Sequence, residues 1–332
     1  MKTAKTLSTS CKFQPPDAYR TGDAGDARAD SRTGGVYVFN DRIRLAIQVA
    51  LATGRPLLVR GESGWGKSSL AAASARYLNW TFYETVITSR TQARDLQWSV
   101  DLLMRLNDAQ ARKLKRDWSL YVCPGVLWWA LDPDGSAAQQ KLYDQTRGAP
   151  TDPRSPQSVE KRAVVLLDEI DKADPDVPNN LLVTLGSLEF QVEETGQKVR
   201  ADKENSPLVF ITTNEERELP NAFLRRCIEL RLPALPDDDL DGKLRKALLI
   251  DVVLQHGLQH SSGAVTREYL AKVTEILIPP PAAGEEAIVP SPAEFKDTIL
   301  ALIDRYGSEE PPEKDLNEIA QMTITKRRPA RG

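Results

Sequence analysis

The chain has 332 residues, of which 41% are hydrophobic and 27% are charged, a balance typical of a globular protein with about two domains. Its formal net charge of −3 gives no overall basic surface, so nucleic-acid binding is not indicated, although a local basic patch stays open. No apolar run is long enough to cross a bilayer and no secretory signal is visible, so we expect a cytoplasmic protein without membrane contact.

The first 35 residues are rich in Thr, Ser, Asp, Gly and Arg and predict a flexible N-terminal tail over residues 1–35. From Val36 to Pro236, short apolar strands alternate with helical patterns, which is typical of βαβ units. We therefore expect an α/β core over residues 36–236, built on a parallel five-stranded sheet with helices on both faces. The strands are predicted over residues 56–61, 81–88, 163–171, 206–214 and 227–236.

Helices and one hairpin are expected between these strands. Residues 94–118 predict a long polar helix, with a break inside it left open, and residues 189–199 alternate like a β-hairpin. Residues 132–162 are polar and rich in Pro, Gly and Gln, which indicates an exposed loop or a partly disordered insertion. After Pro236, residues 237–325 predict a smaller helical domain, and a solvated basic tail follows at 326–332. The other core helices are predicted over residues 41–54, 67–79 and 174–186.

Cysteine and histidine usage gives no strong indication of a metal site. Cys11, Cys123 and Cys227 lack paired spacing, which favours free thiols over a disulfide framework or a zinc site. His256 and His260 are four residues apart on a predicted helix, a spacing that can bind metal, but they lack an acidic companion. We expect them to be a solvated pair.

Residues 61–68 have the GxxxxGK[ST] spacing of a phosphate-binding loop, and they follow an apolar strand and open a helix. Glycines allow the sharp turn that aims backbone amides and a helix N-terminus at an anion. Lys67 would place a cation at the β- and γ-phosphates, and the Ser68 hydroxyl would bind magnesium. A glycine-rich turn without a ligand is the alternative. Trp65 is expected to face solvent or a neighbouring residue. The candidate cofactor-binding residues are Gly61, Glu62, Ser63, Gly64, Trp65, Gly66, Lys67, Ser68 and Ser69.

Two acids follow the apolar strand that begins at Ala163. A nucleotide hydrolase needs one carboxylate to hold magnesium and another to orient the attacking water, usually at the carboxyl end of a neighbouring strand. Asp168 is positioned for the metal and Glu169 for the water. An Asp-Glu pair after a strand is common and by itself indicates little. It indicates a nucleotide site here because the glycine-rich loop lies about a hundred residues upstream.

These motifs resemble those of AAA+ ATPases and, within them, of the MoxR branch, with the McrB and dynein-related modules as near relatives. The resemblance extends from about Val36 to Pro236. Its motifs are residues 61–69 (GESGWGKSS), 124–129 (PGVLWW), 166–182 (LLDEIDKADPDVPNNLL), 210–217 (FITTNEER) and 219–233 (LPNAFLRRCIELRLP).

The resemblance implies a P-loop ATPase core with a helical lid, with ATP and Mg²⁺ as cofactors. Asn214 matches the family's sensor residue, which would hold the water or the γ-phosphate in line with Glu169. Arg225 and Arg226 match paired arginines that reach the nucleotide of a neighbouring subunit. Such a shared site implies a homo-oligomeric ring, a hexamer. A strand-ending turn residue for Asn214, and a solvated helix end or salt bridge for the arginines, are the alternatives.

The resemblance also places contacts with a partner protein in the hairpin at 189–199 and in an insertion within 91–121, which project toward the pore or face of the ring. The usual client is a protein, often one with a von Willebrand factor A-type domain. The family's lid presents an arginine after Ser-Pro, whereas Ser291 and Pro292 are followed here by Ala293, so no second sensor is assigned. The pair at 128–129 is expected to pack in the core rather than to stack on nucleic acid.

We therefore expect a MoxR-like ATPase that couples hydrolysis of Mg-ATP in a ring to remodelling or activation of a partner protein. The alternative is a nucleotide-gated motor or sensor subunit of a bacterial defence or DNA-restriction system. The basic segment at 111–116 permits such a role, although a solvated helix face is the ordinary interpretation of it. A third alternative is an assembly scaffold that binds ATP and barely hydrolyses it.

Overall fold

A computed structural model of the chain describes residues 13–15, 18–20, 36–144, 161–202, 205–234, 243–255, 266–278, 289–307, 309 and 311–324. The chain divides into two compact units, each made of three segments. The first unit comprises Met1–Gln14, Arg44–Arg60 and Ser74–Leu230. The second comprises Pro15–Ile43, Gly61–Ala73 and Arg231–Gly332. The boundary predicted at residues 236–237 lies outside the described residues and stays a prediction.

The strands are β1 (Ala18–Arg20), β2 (Val36–Val38), β3 (Leu57–Arg60), β4 (Thr81–Val86), β5 (Trp98–Val100), β6 (Val122–Pro124), β7 (Ala163–Asp168), β8 (Glu189–Gln191), β9 (Lys198–Arg200), β10 (Leu208–Thr213) and β11 (Ile228–Arg231). The helices are α1 (Asp41–Thr53), α2 (Lys67–Leu78), α3 (Leu102–Gln110), α4 (Val126–Leu131), α5 (Pro133–Asp144), α6 (Asp176–Ser187), α7 (Asn221–Leu224), α8 (Lys243–Gln255), α9 (Arg267–Leu277), α10 (Pro292–Tyr306) and α11 (Glu313–Thr323).

The predicted five-stranded parallel sheet is confirmed, and it has the order β11-β3-β10-β7-β4. β7 and β10 lie in its interior and are buried along their whole length, because a parallel sheet is covered on both faces and needs continuous apolar strands. In the register of the central strands, Ile211 of β10 lies level with Leu58 of β3 and with Leu167 of β7. The last residues of these three strands therefore meet at one edge.

The hairpin predicted at 189–199 is present as the antiparallel pair of β8 and β9. Its Phe190 ring stacks on Trp98 of β5 with ring centroids 5.6 Å apart, and it meets Trp128 edge-on at 6.1 Å. The Trp98 indole N–H donates to Glu194 in the hairpin turn at 2.7 Å. Trp128 and Trp129 are 0% and 2% exposed, which confirms that they belong to the core.

The long helix predicted over residues 94–118, with a break left open, is present only as α3, and the prediction is wrong for the rest of this stretch. A short 3₁₀ turn (Ala93–Leu96), β5 and the nine-residue α3 occupy this stretch, and β5 pairs with β6. Trp98 is buried while its neighbour Ser99 is exposed, which is the alternation of side chains along a β-strand and not the pattern of a helix. Asp101 then caps α3 by accepting the Met104 amide at 2.6 Å.

The predicted loop over residues 132–162 is wrong for its first third, which forms α5; residues 145–160 lie outside the described part of the chain. The helix buries polar side chains, Ser136, Gln139 and Gln140, so it lacks the apolar stripe that marks a helix in a sequence. The burial is compatible with folding because the Gln139 amide donates to the Ser119 and Val122 carbonyls, each at 2.7 Å.

The tail predicted over residues 1–35 is also wrong at two places that the structure describes. Phe13 is fully buried, packs edge-on against Tyr77 at 5.1 Å, and its carbonyl accepts the Gln48 side-chain amide at 2.9 Å. β1 pairs antiparallel with β2. Within this segment, the ordered structure at Phe13 depends on burial of an aromatic side chain, and that at β1 depends on backbone pairing.

The predicted helical C-terminal part is confirmed by α8, α9, α10 and α11, which surround their own apolar core. Phe295, Ile299 and Leu302 of α10 lie at its centre and are fully buried. His256, His260 and the basic tail at 326–332 lie outside the described residues. No described helix has the length and apolar character that crossing a membrane would require.

Candidate functional site

The glycine-rich loop starts directly after β3 and ends where α2 begins at Lys67. Gly61, Gly64 and Gly66 have φ angles of 138°, 83° and 79°, a region that side-chain-bearing residues rarely adopt. A Cβ at Gly61 would overlap the Leu232 carbonyl oxygen. The glycines of the motif are therefore required by the turn itself.

Lys67 is buried inside this loop, at 7% exposure. Its ammonium donates to the carbonyls of Gly61 at 2.6 Å and of Glu62 at 2.8 Å. A positive charge enclosed by a glycine turn at the N-terminus of a twelve-residue helix is the arrangement that binds a phosphate chain. The residues present thus fit the triphosphate of a nucleotide. Ser68 lies in the first turn of α2, where a hydroxyl can serve a phosphate-bound Mg²⁺.

Trp65 is 7% exposed, so its side chain packs against neighbouring residues and does not face solvent. The loop residues Glu62 and Ser63 are exposed, and Ser68 and Ser69 are half-buried.

The start of α10 lies against the same loop within the second unit. Ser291 caps the helix by accepting the Glu294 amide, and the Ala293 amide donates to the Gly64 carbonyl at 3.4 Å. A Cβ at Gly64 would overlap the Ser291 hydroxyl. In the family that this sequence resembles, the residue after Ser-Pro is an arginine. The same segment of this chain contacts the loop, but Ala293 stands at that position.

The candidate acids lie at the carboxyl edge of the sheet in the first unit. Asp168 ends β7 and is 5% exposed, and its carboxylate accepts the Thr212 hydroxyl proton at 2.5 Å. Glu169 follows with φ 63° and ψ 50°, the left-handed region, and its amide donates to the Thr212 oxygen at 2.8 Å. This turn takes Glu169 out of the strand direction.

The Glu169 carboxylate has two partners. The Asn214 side-chain amide donates to one oxygen at 3.4 Å, and the Lys172 ammonium donates to the other at 2.7 Å. The hydrogen bond to Glu169 raises the pKa of Lys172 above its ordinary value. The structure thus brings Asp168, Glu169 and Asn214 together at one edge of the sheet.

A third acid, Asp171, was not predicted from the sequence. It is 3% exposed, and one of its oxygens accepts the amides of Asn214 at 3.1 Å and of Glu216 at 3.0 Å. The loop that carries Asn214 is therefore held to the segment that carries Glu169. Asp171 is the last residue of the "DEID" string. Its position directly after an apolar residue that follows two acids was the signal in the sequence that could have identified it.

A second cluster not predicted from the sequence lies at the end of β3, just before the loop. Arg60 donates to Glu215 through Nε at 3.0 Å and to Glu229 through Nη1 at 2.9 Å. The hydrogen bonds to Glu229 and Glu215 outweigh burial and raise the pKa of Arg60. Glu215 adjoins Asn214, so Arg60 links the end of β3 to β11 and to the segment that follows β10.

The predicted arginines form no hydrogen bond with these acids in the described structure. Arg225 and Arg226 directly follow α7 and are exposed. The Arg226 guanidinium donates to the Ala222 carbonyl at 3.2 Å, and the Arg225 carbonyl accepts the Arg55 guanidinium at 2.7 Å.

Among the described residues, no group of three or more His, Cys, Asp or Glu side chains forms a metal cage. Mg²⁺ in nucleotide sites needs no such cage, since it retains waters and is held by one or two protein oxygens together with the phosphates. Asp168, a buried carboxylate with a fixed orientation, fits that limited donor set. Cys123 and Cys227 form no disulfide in the described structure.

Comparisons with known proteins place the chain in a family. The model of the AAA domain (dynein-related subfamily) matches residues 56–227, more than half of the chain. No curated protein matches it. Among solved structures, it matches a proposed ATPase from Cytophaga hutchinsonii at 15% identity and a TM-score of 0.37, covering 85% of this chain and 79% of that one. It also matches a mutant of RuvB from Thermotoga maritima at 12% identity and a TM-score of 0.44, covering 85% and 68%. By the family match, the chain belongs to the dynein-related subfamily of AAA domain proteins.

Proposed function

We propose that this protein is a MoxR-like ATPase that hydrolyses Mg-ATP in a homo-oligomeric ring, a hexamer, and uses the turnover to remodel or activate a partner protein. One observation carries the proposal: the glycine turn encloses the buried Lys67, and a separate strand edge orients Glu169 against Asn214. Together with the AAA family match, these are a phosphate-binding element and a water-orienting element.

Each residue has a role in this proposal. Lys67 exchanges its two carbonyl partners for phosphate oxygens, which offer a charged acceptor in place of neutral ones. Ser68 and Asp168 hold Mg²⁺, Glu169 orients the attacking water as general base, and Asn214 holds Glu169. When bound, Mg-ATP supplies the phosphoanhydride bond that is broken.

Exposure of the arginines supports a site shared between copies. Arg225 and Arg226 follow a short helix, are exposed, and form no ion pair with a carboxylate of the described residues. Guanidinium groups placed in this way are available to a nucleotide on a neighbouring subunit, where they would offset charge in the transition state.

The surface of α3 favours a protein partner over nucleic acid. None of its nine residues is buried, and Leu102, Leu103 and Leu106 are 62%, 71% and 54% exposed. They share one face of the helix by their spacing. The helix is fixed in place, since Tyr121 donates to Asp108 at 2.8 Å and the Arg105 guanidinium stacks on Trp118 at 3.7 Å. Exposed leucines bind apolar protein surface, and phosphate backbones offer none.

Phosphate release from Mg-ATP tests the enzymatic part. The wild type should turn over with a specific activity that rises with protein concentration as rings assemble. Lys67→Ala should lose ATP binding, and Glu169→Gln should bind ATP and stall. Undiminished turnover of Glu169→Gln would refute the role of that carboxylate.

The shared site is tested by mixing two inactive variants. Glu169→Gln keeps its arginines, and the double variant Arg225→Ala/Arg226→Ala keeps its acids. In mixed rings, intact acids from one copy meet intact arginines from the other, so turnover should return. Absence of any recovery, in mixtures shown by mass to contain both variants, would contradict a site completed by a neighbour.

The second candidate function is a nucleotide-gated motor or sensor subunit that acts on DNA. The exposed cations Arg112, Lys113, Lys115 and Arg116 follow α3 and favour it. Turnover stimulated by duplex DNA, with a stimulation that falls as salt increases, would select this candidate. A client protein with a von Willebrand factor A-type domain that stimulates turnover would select the first.

A further inference from the structure

The two candidate acids share one hydroxyl group. In the parallel register of β7 and β10, Ile211 lies level with Leu167, so the next residues, Thr212 and Asp168, face each other at the strand ends. Thr212 is fully buried and Asp168 is 5% exposed. The contact between them is therefore part of the interior and is shielded from competing water.

The Thr212 hydroxyl makes one hydrogen bond to each of these residues, as donor to Asp168 and as acceptor from Glu169. It donates its proton to the Asp168 carboxylate at 2.5 Å and accepts the Glu169 backbone N–H at 2.8 Å. A hydroxyl has one proton to donate, and here it is committed to the carboxylate. The bond fixes the rotation of the Asp168 carboxylate at the end of β7.

The bond to the Glu169 amide supports a strained turn. Glu169 has φ 63° and ψ 50°, a conformation that costs a residue with a side chain roughly 1–2 kcal/mol. This turn brings the Glu169 carboxylate within 3.4 Å of the Asn214 side-chain amide. Loss of the Thr212 acceptor would remove a contact that stabilises the turn and would let Glu169 relax.

We propose that Thr212 is a positioning residue for both acids, one that orients Asp168 toward magnesium and holds Glu169 in the turn that aims it at the water. The inference rests on the proposed ATPase function. Thr212 itself touches neither nucleotide nor metal in this assignment and acts through the two carboxylates.

The adjacent residue provides a matched control. Thr213 is also buried, at 1% exposure, and also has a hydroxyl, but this hydroxyl accepts the Glu215 amide at 3.0 Å and bonds to neither acid in the described structure. Successive side chains of a strand point to opposite faces, which explains the difference. Replacing either threonine with valine removes a buried hydroxyl from the same strand with almost no change in shape.

The test compares Thr212→Val, Thr212→Ser and Thr213→Val. Turnover is measured against ATP and against magnesium, ATP binding is measured at equilibrium with and without magnesium, and thermal melting is followed for each protein. In Thr212→Val we expect kcat to fall and the half-saturating magnesium concentration to rise, each by roughly 10- to 100-fold, the range typical of residues that orient metal ligands. ATP affinity without magnesium should stay at the wild-type value.

Thr212→Ser keeps the hydroxyl and should regain most of the lost turnover, whereas Thr213→Val should keep wild-type kcat and magnesium dependence even if it melts earlier. Equal losses in the two valine variants, or an unchanged Thr212→Val, would overturn the proposal. The magnesium dependence of ATP binding decides the matter in a protein without turnover: an unchanged dependence in Thr212→Val refutes the positioning role. A wild type that binds no ATP refutes the proposed function, and the inference falls with it.

Discussion

Replacing Asp171 with alanine should destabilise the first unit, because the Asp171 carboxylate holds the loop that carries Asn214. Its one bonded oxygen accepts two backbone amides, those of Asn214 and Glu216, and its other oxygen is buried with no hydrogen-bond partner in the described structure. A hydrogen bond to a charged acceptor contributes about 1.5–3 kcal/mol, so the two bonds to this carboxylate set a gross loss of about 3–6 kcal/mol.

Part of this loss is offset, since a carboxylate with one unpaired oxygen is itself costly to bury. We therefore expect Asp171→Ala to lower the free energy of unfolding by about 2–4 kcal/mol. Asp171→Asn keeps a carbonyl oxygen for the two amides and removes the buried charge, so its loss should stay within about 1 kcal/mol.

Urea unfolding followed by tryptophan fluorescence measures the difference between the two variants. In the same proteins, Asp171→Ala should also lower turnover, because Asn214 is released, while Asp171→Asn keeps most of it. If the asparagine variant is as unstable as the alanine variant, the negative charge and not the acceptance of two amides stabilises this loop, and the reasoning is refuted.

Three further predictions concern single contacts. Lys172→Met should remove the ion pair with Glu169. Because the hydrogen bond to Glu169 raises the pKa of Lys172, the pair contributes fully to the free energy of unfolding below the ordinary lysine pKa of about 10.4. This contribution is lost as the pH rises through the pKa of Lys172 in the folded protein. The gap in unfolding midpoint between this variant and wild type should accordingly stay constant from about pH 7 to about pH 9 and shrink above about pH 10.4; a gap that widens there contradicts the pairing. Gly61→Ala should strain the loop and weaken ATP binding, whereas Gly186→Ala, in a helix with open space around the new methyl group, should raise the stability by about 0.5–1 kcal/mol in urea unfolding; equal effects of the two changes would contradict the role of the turn. Burial raises the pKa of Cys227 to about 12, so its peptide should remain unalkylated at about pH 8 until the protein is unfolded, as mass spectrometry of digests would show; rapid labelling of the native protein would argue against its burial.

The central sheet and the loop could be predicted because each leaves a strong local signal. β7 begins with five consecutive apolar residues and β10 with four, a pattern typical of a strand covered on both faces. The glycines of the loop are required by its φ angles, so their spacing in the sequence records the turn directly. Asp168 and Glu169 follow from the position at which β7 ends.

The parts that could not be predicted depend on contacts between distant residues. α5 buries Ser136 and Gln139, whose burial is possible only because carbonyls from residues 119 and 122 accept the glutamine amide. The strand β5 exists because Trp98 finds Phe190 more than ninety residues later. Neither partner can be identified from the periodicity of a local window.

The same holds within the candidate site. Thr212, two residues before Asn214, looks like an ordinary β-branched strand residue in the sequence. Its importance appears only in the register of β7 and β10, which sets the hydroxyl against Asp168. The left-handed turn at Glu169 is likewise invisible in the sequence, because non-glycine residues seldom adopt it.

The burial of Trp65 has a practical consequence for spectroscopy. All six tryptophans lie between Trp65 and Trp129, and five of them belong to the first unit, so intrinsic emission from this protein reports mainly on that unit. Trp65 is the exception, an indole placed inside the glycine-rich loop with 7% of its surface exposed. With the other five replaced by phenylalanine, its emission wavelength and quenching by iodide would follow the opening of that loop in real time, without any attached dye.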